Sequence, residues 1–331
     1  MAKRTTLAAV AERTGLSRTS VAYILNGGPA HITFSAETRT MVETAARDLG
    51  YRPSVAARAT ATGRTSCMAL LHAGAVLHED LLWSIHDRLA HHGLSLGLSR
   101  MPDPQVVDHE YVPRVLATWM ADGLLITADR ELPAAVTKAI ASARIPALVV
   151  GLHQAQDAVH ADDDGAGRDV TQHLLCLGHR RIAFIDHDPQ SPAEIARHGG
   201  YNAALRVAGL RPRILGGADV AALAAMLTRS DRPSAVICAQ APTLVLAAAR
   251  MAKVSVPGDL SVLTFAAQPW REPDLEVATH IVPWSIIGRT AVDQVQARLG
   301  DAERHLPALA VPGHLVVGTS LAAPTPGDRA R

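Results

Sequence analysis

The sequence predicts an N-terminal all-α headpiece carrying a helix-turn-helix, followed by a larger α/β body built on parallel sheets. Three observations lead there. Residues 6–26 place apolar residues at helical spacing on either side of Gly15. From Thr65 onward, short apolar strand-like runs alternate with helical patterns, the order that builds parallel sheets. The charge is also split: nine Lys/Arg face four Asp/Glu in residues 1–65, leaving 23 against 27 in the rest, so a net +1 hides a basic head on a mildly acidic body. That layout fits a nucleic-acid-binding module attached to a second function. A chain of 331 residues has room for two or three domains.

The headpiece is read first. Leu7, Val10 and Ala11 share one helical face. Gly15 stands where the chain must turn, since glycine alone takes a positive φ without steric penalty. Ser17 is an N-cap for a second helix whose inner face carries Val21, Ile24 and Leu25. The outer side of that helix begins with Arg18 and Thr19 and runs to Tyr23, and a recognition helix reads bases with its N-terminal residues. An ordinary helical hairpin would show the same spacing. Residues 27–34 read as a loop. Ser35 caps a third helix with Met41, Val42, Ala45 and Leu49 as its apolar face, ended by Gly50. Tyr51-Arg52-Pro53 is an extended break. The alanine-rich stretch 54–62 reads either as a linker or as a short helix too brief to stand alone.

In the body, strands are expected at 67–71, 94–98, 123–126 and 147–150, with helices at 79–92, 112–120 and 134–142 between them. A break near 153–165 separates this set from a second. There, helices are expected at 167–177, 197–208, 243–251 and 285–299, and strands at 182–185, 235–238, 261–265 and near 314–317. The restart points to two similar lobes.

The composition, 48% hydrophobic and 19% charged, suits a globular protein with a sizeable core. Cys67, Cys176 and Cys238 lie far apart in apolar runs, so buried reduced thiols are expected. No apolar leader or membrane-length run is present, which points to the cytoplasm. Only three of the 32 basic residues are lysine, and the skew runs through the whole chain, so GC-rich coding explains it better than function. Asp162-Asp163-Asp164 could hold a hard cation, but acids ahead of a helix are better explained by charge–dipole placement. His86, His91 and His92 lack the spacing of a helical metal pair. His187, Asp188 and Ser191 come without a nucleophile elbow, and Asp122 ends a helix before a strand, so no enzyme and no cofactor is expected.

An ordered series of motifs resembles the lactose/galactose repressor family of bacterial transcription regulators along nearly the whole chain. It runs through Gly15-Leu16-Ser17, Leu25-Asn26-Gly27, Glu37-Thr38-Arg39, Leu49-Gly50-Tyr51-Arg52-Pro53 and Thr62-Gly63-Arg64-Thr65. It continues with Ala121-Asp122-Gly123-Leu124, Ile145-Pro146, Leu177-Gly178-His179-Arg180-Arg181-Ile182-Ala183, Val256-Pro257 and Gly318-Thr319-Ser320. The resemblance implies a headpiece at 1–52, a hinge at 53–65 and a core at 66–321 like the periplasmic sugar-binding proteins. Lobe 1 would take 66–158 and 283–313, lobe 2 would take 159–282 and 314–321, and the tail 322–331 would be disordered. It further implies a homodimer reading a pseudopalindromic operator, as two-fold symmetry requires, with a small effector between the lobes. Arg18, Thr19 and Tyr23 would then read the major groove. Thr6, Ser17, Asn26, Thr38 and Tyr51 would contact phosphate, which fixes register without carrying sequence information. Ser54, Ala57, Arg58 and Thr60 would contact DNA from the hinge.

Several positions depart from the family pattern. The loop after Asn26 is three residues longer than usual. Tyr23 stands where a guanine-reading arginine is common, which leaves Arg18 as the guanine candidate. Thr60 replaces the hinge leucine that wedges into the minor groove, so a weaker operator kink is expected. In the cleft, the usual acids are replaced by Gly151, by Ala241 after Gln240, and by Ala266-Ala267. Arg197, Gln240 and Asp164 remain as effector contacts, and an arginine with few acids around it favours an anionic ligand over a neutral sugar. A cleft that has lost its ligand is the equal alternative. The tail lacks a leucine heptad, so no coiled-coil tetramer is expected. A ligand-binding protein with an inactive headpiece is the rival from another class.

Overall fold

The computed structural model describes residues 5–26, 31–51, 59, 63–102, 107–152, 157–300 and 306–325. The headpiece has three helices, α1 (Leu7–Thr14), α2 (Arg18–Asn26) and α3 (Ala36–Asp48). Gly15 closes α1 at φ +67, the left-handed conformation its place at the turn demands. Val10, Val21 and Val42 are fully buried where the helices meet, with Ala11, Ile24, Ala45 and Ala46 around them. Met41, expected on the inner face of α3, is instead 43% exposed, and Ala46 takes the inner place. Helices this short are held mainly by such packing rather than by intrinsic propensity. The Thr5 hydroxyl donates to the Leu49 carbonyl at 2.8 Å and ties the start of the headpiece to its end.

The first sheet has the order β12-β5-β4-β3-β1-β2, all parallel. Its strands are β1 (Cys67–His72), β2 (Ser95–Arg100), β3 (Gly123–Thr127), β4 (Ala147–Val150), β5 (Ala158–Ala161) and β12 (Leu309–Val311). β1 and β3 are buried at every position, as expected of parallel strands covered on both faces. α4 (Glu79–His91) and α11 (Trp284–Gly300) cover one face through Ile85, Leu89, Ile287 and Val295. α5 (Tyr111–Trp119) and α6 (Ala134–Ser142) cover the other through Val112, Val115 and Val136.

The second sheet runs β10-β11-β9-β8-β6-β7, with β10 and β13 each antiparallel to β11 and the other pairings parallel. It is formed by β6 (Ile182–Ile185), β7 (Ile214–Leu215), β8 (Ala235–Cys238), β9 (Ser261–Ala266), β10 (Trp270–Glu272), β11 (Leu275–Ile281) and β13 (His314–Val316). α7 (Asp163–Cys176) and α8 (Pro192–Val207) cover one face, burying Val170, Leu174, Tyr201 and Leu205. α9 (Val220–Leu227) and α10 (Thr243–Ala252) cover the other. The chain therefore passes between the sheets three times, after β5, after β11 and after β12. No helix among the described residues is long and apolar enough to cross a membrane.

Three expectations are corrected. The first crossover follows Ala161 rather than 158, because β5 pairs with β4 and β12 and buries Val159 and Ala161 in the first core. The tail is anchored through residue 325: the Ala322 carbonyl accepts from His179 Nε2 at 2.9 Å and from the Ser261 hydroxyl at 3.1 Å, and Pro324 is buried. Cys176 is exposed, whereas Cys67 and Cys238 are buried.

Candidate nucleic-acid interface and interlobe cleft

The second headpiece helix begins with a formed cap: the Ser20 amide donates to Ser17 Oγ at 3.0 Å. That bond fixes the first turn of α2, where Arg18 and Thr19 are both exposed. Tyr23, one turn on, is half-buried. Thr6 is exposed immediately before α1. Ser35 caps α3 in the same way, accepting from the Thr38 amide at 3.1 Å, while the two hydroxyls lie 2.8 Å apart. Thr38 and Tyr51 are half-buried against the headpiece. Asn26 departs from its expected place on the phosphate-facing surface. It is 7% exposed and its Oδ1 has no hydrogen-bond partner among the described residues, so it sits inside the fold rather than on the surface. Ser54, Ala57, Arg58 and Thr60 lie outside the described residues.

The cleft lies between the carboxyl ends of the two parallel sheets, the usual ligand position in open α/β folds. α7 and α8 cross there at glycines. A Cβ on Gly167 would land on the Arg197 carbonyl, and one on Gly200 on the Asp164 carbonyl, so only glycines permit this approach. The crossing sets Asp163 against Arg197. Arg197 Nε donates to Asp163 Oδ1 at 2.8 Å, Nη1 donates to the Ala239 carbonyl at 2.8 Å, and Nη2 lies 2.7 Å from Asp163 Oδ1. The guanidinium also lies over the Phe265 ring, 4.3 Å from its centroid.

This arrangement corrects the reading of Arg197 as a receptor for an anion. Its charge is already paired with a carboxylate, each of its three nitrogens already has a partner, and the residue is only 8% exposed. The three consecutive aspartates have separate tasks: Asp162 caps α7 by accepting from the Gly165 amide at 2.9 Å, Asp163 holds Arg197, and Asp164 pairs with Arg168 one turn on. Gln240 is exposed after β8 and donates from Nε2 to Glu194 Oε1 at 3.4 Å.

The backbone at Gly151 excludes the acid that the family pattern would place there. Gly151 sits at φ +103, and a Cβ there would lie 2.6 Å from the Ala128 carbonyl oxygen, leaving no room for an aspartate. Ala266 and Ala267 line a cavity of about 390 Å³ with Gln268, Pro269 and Trp270, facing His78, Glu79 and Asp80 at the start of α4. The His78 ring stacks on Trp284, centroids 4.3 Å apart, and burial lowers its pKa. Sequence reasoning assigned Asp163 no role in holding Arg197 and did not single out His78, Trp270, Trp284 or Glu194. Their only signal was position beside a strand end or helix start.

A capped helix-turn-helix carried on a core of two parallel sheets with a cleft between them defines a DNA-binding transcription regulator. Residues 171–321 match the family model described as a periplasmic binding protein-like domain. The chain is 30% identical to the HTH-type transcriptional regulator CelR of Thermobifida fusca over 309 residues, covering 85% of each protein. It is 28% identical to the transcriptional repressor PurR of Erwinia tasmaniensis over 315 residues, 89% of this chain and 87% of that one. Among solved structures, a CelR–cellobiose complex superposes with a TM-score of 0.64 at 26% identity, covering 96% of this chain and 100% of that one. The lac repressor dimer bound to operator and the anti-inducer ONPF shares the fold at a TM-score of 0.77 and 22% identity, covering 97% and 100%. The chain belongs to the lactose/galactose repressor family of transcription regulators.

Proposed function

We propose that this regulator is a cytoplasmic homodimeric repressor, without enzymatic activity, that binds a pseudopalindromic operator and releases or tightens on it when a small molecule enters the interlobe cleft. The observation that carries the DNA reading is the capped, exposed first turn of α2, with Arg18 and Thr19 free to meet base edges. Tyr23 is the third reader, and Thr6, Ser17, Thr38 and Tyr51 flank it for phosphate contact. A dimer is supported by large apolar side chains left in water on lobe 1, among them Trp83, Leu98 on the edge strand β2, Trp119 and Met120. For the effector, the engaged state of Arg197 removes the reason for favouring an anion. A neutral, ring-bearing ligand of the saccharide type fits a cavity with Trp270 and His78 in its walls, and the complex of the CelR relative holds cellobiose.

Selection of bound DNA from a random pool tests the proposal. A two-fold symmetric site should emerge. Arg18→Ala should relax one position per half-site at a cost of about 1–3 kcal/mol. Recovery of no preferred sequence by the wild-type protein would refute it.

A further inference from the structure

One ion pair joins the two lobes at the cleft and has no part in the family pattern above. Arg130, just past β3 in the first lobe, places Nη2 2.5 Å from Oδ2 of Asp188, just past β6 in the second. An exposed pair on a loop would ordinarily hold little. Here the acid is set rigidly. The His187 and Asp188 amides both donate to Glu194 Oε2, at 2.9 and 3.1 Å, and Asp188 Oδ1 accepts from the Gln190 amide at 3.1 Å. Glu194 itself is 1% exposed in the first turn of α8, one turn before Arg197. Its other oxygen accepts from Gln240 in the cleft. Asp186, at the start of the same loop, has Oδ1 2.5 Å from His198 Nε2.

We propose that Arg130 and Asp188 form an interlobe latch, that Glu194 is the pin that holds Asp188 in place, and that Gln240 connects the pin to whatever occupies the cleft. A ligand that draws the Gln240 amide away from Glu194 loosens residues 186–188 and with them the lobe-to-lobe contact. The latch itself stands on the ion pair alone; its coupling to a ligand rests on the cleft being the effector site.

The lobe separation can be read without DNA or ligand, so the test is independent of operator binding. Exposed Cys176 in lobe 2 and Ser142→Cys in lobe 1 accept spin labels, while Cys67 and Cys238 are buried. Labelled protein is mixed with excess unlabelled protein so that each assembly carries one labelled chain, and the distance distribution is measured by electron–electron resonance. Arg130→Asp and Asp188→Arg should each broaden the distribution towards longer distances, with the open population rising about fivefold. Arg130→Asp combined with Asp188→Arg should restore the wild-type distribution. Glu194→Gln presents one acceptor oxygen fewer, and Gln240→Glu sets a second carboxylate against the pin. Both should broaden the distribution and speed hydrogen exchange at the His187 and Asp188 amides. Unchanged distributions in the two single charge reversals, or no restoration in the pair, overturn the latch. A normal distribution in Gln240→Glu overturns its connection to the cleft.

Discussion

Removing the Arg197 guanidinium separates two roles that the sequence alone leaves mixed. If Arg197 receives a ligand, Arg197→Ala leaves the ligand-free protein as stable as before, within the roughly 0.5 kcal/mol typical of substitutions away from packed features. If it holds the α7–α8 crossing, the substitution strands Asp163. That carboxylate has a side chain only 5% exposed and takes two guanidinium nitrogens within 2.8 Å. Breaking a buried pair from one side costs about 3–5 kcal/mol, because the remaining charge is left without a partner in a poorly solvated place. The Ala239 carbonyl and the face of Phe265 lose a partner as well. For a domain of this size each kcal/mol moves the melting temperature by about 2–4 °C, so the second lobe should melt roughly 6–20 °C lower. Differential scanning calorimetry of the ligand-free protein reads this directly. Adding Asp163→Asn to Arg197→Ala removes the stranded charge, so the double variant should recover part of the loss. A shift under about 2 °C in the single variant would refute the structural role.

Two further outcomes follow from the same lobe. Gly200→Ala drives a methyl group into the Asp164 backbone, which cannot swing aside, and should lower stability by about 1–3 kcal/mol in urea denaturation; an unaltered midpoint would mean the helices can part freely. The Tyr201 phenol, fully buried, donates to the Ile182 carbonyl at 2.8 Å and accepts from the Arg213 amide at 3.0 Å; burial pushes its pKa up to about 12. The folded state therefore keeps this proton after the unfolded chain has lost it near pH 10. Its contribution is complete below pH 10 and is lost as the pH rises towards 12, about 2–3 kcal/mol in all. Tyr201→Phe should flatten that alkaline arm, and an identical arm in both proteins would assign it to other groups.

Much of the fold was legible because the strong patterns were local. Strands 147–150, 182–185 and 235–238 and helix 134–142 fall at the expected residues, each an apolar run or stripe between clear breaks. Misses came where local pattern was absent. α9, Val220-Ala-Ala-Leu-Ala-Ala-Met-Leu, is apolar on nearly every side and so shows no period; Asp219, which caps it by accepting from the Ala222 amide at 2.8 Å, was the available sign. β11 hides behind Glu276, Thr279 and His280, two of which are buried polar residues. α7 and α8 begin earlier than expected because their first turns are rich in Asp, Gly and Pro, residues that cap or open a helix without marking its apolar face. The two helices and the turn of the headpiece followed from spacing, whereas the DNA-contact roles came only from the family resemblance. The cleft followed from neither, because whether Arg197 is free or engaged depends on a residue 34 positions away.

That dependence gives the α7–α8 crossing a larger place than any single cleft residue. Gly167 and Gly200 let the two helices touch through their backbones. The contact brings Asp163 to Arg197, and Arg197 in turn grips the Ala239 carbonyl beside Gln240. From the same helix, one turn earlier, Glu194 reaches both Gln240 and the amides of His187 and Asp188. The floor of the cleft and the loop that touches the opposite lobe are thus fastened to one rigid helix start. The acids that the family pattern would place at Ala241, Ala266 and Ala267 are absent, but this framework does not depend on them. A ligand need not pair with a charge to act on it. Displacing the Gln240 amide by an ångström or two is enough to leave Glu194 one donor short. Glu194 is buried although Gln240 is exposed, so in the proposed latch the lost donor would be passed through Glu194 to Asp188 and from there to Arg130 across the cleft.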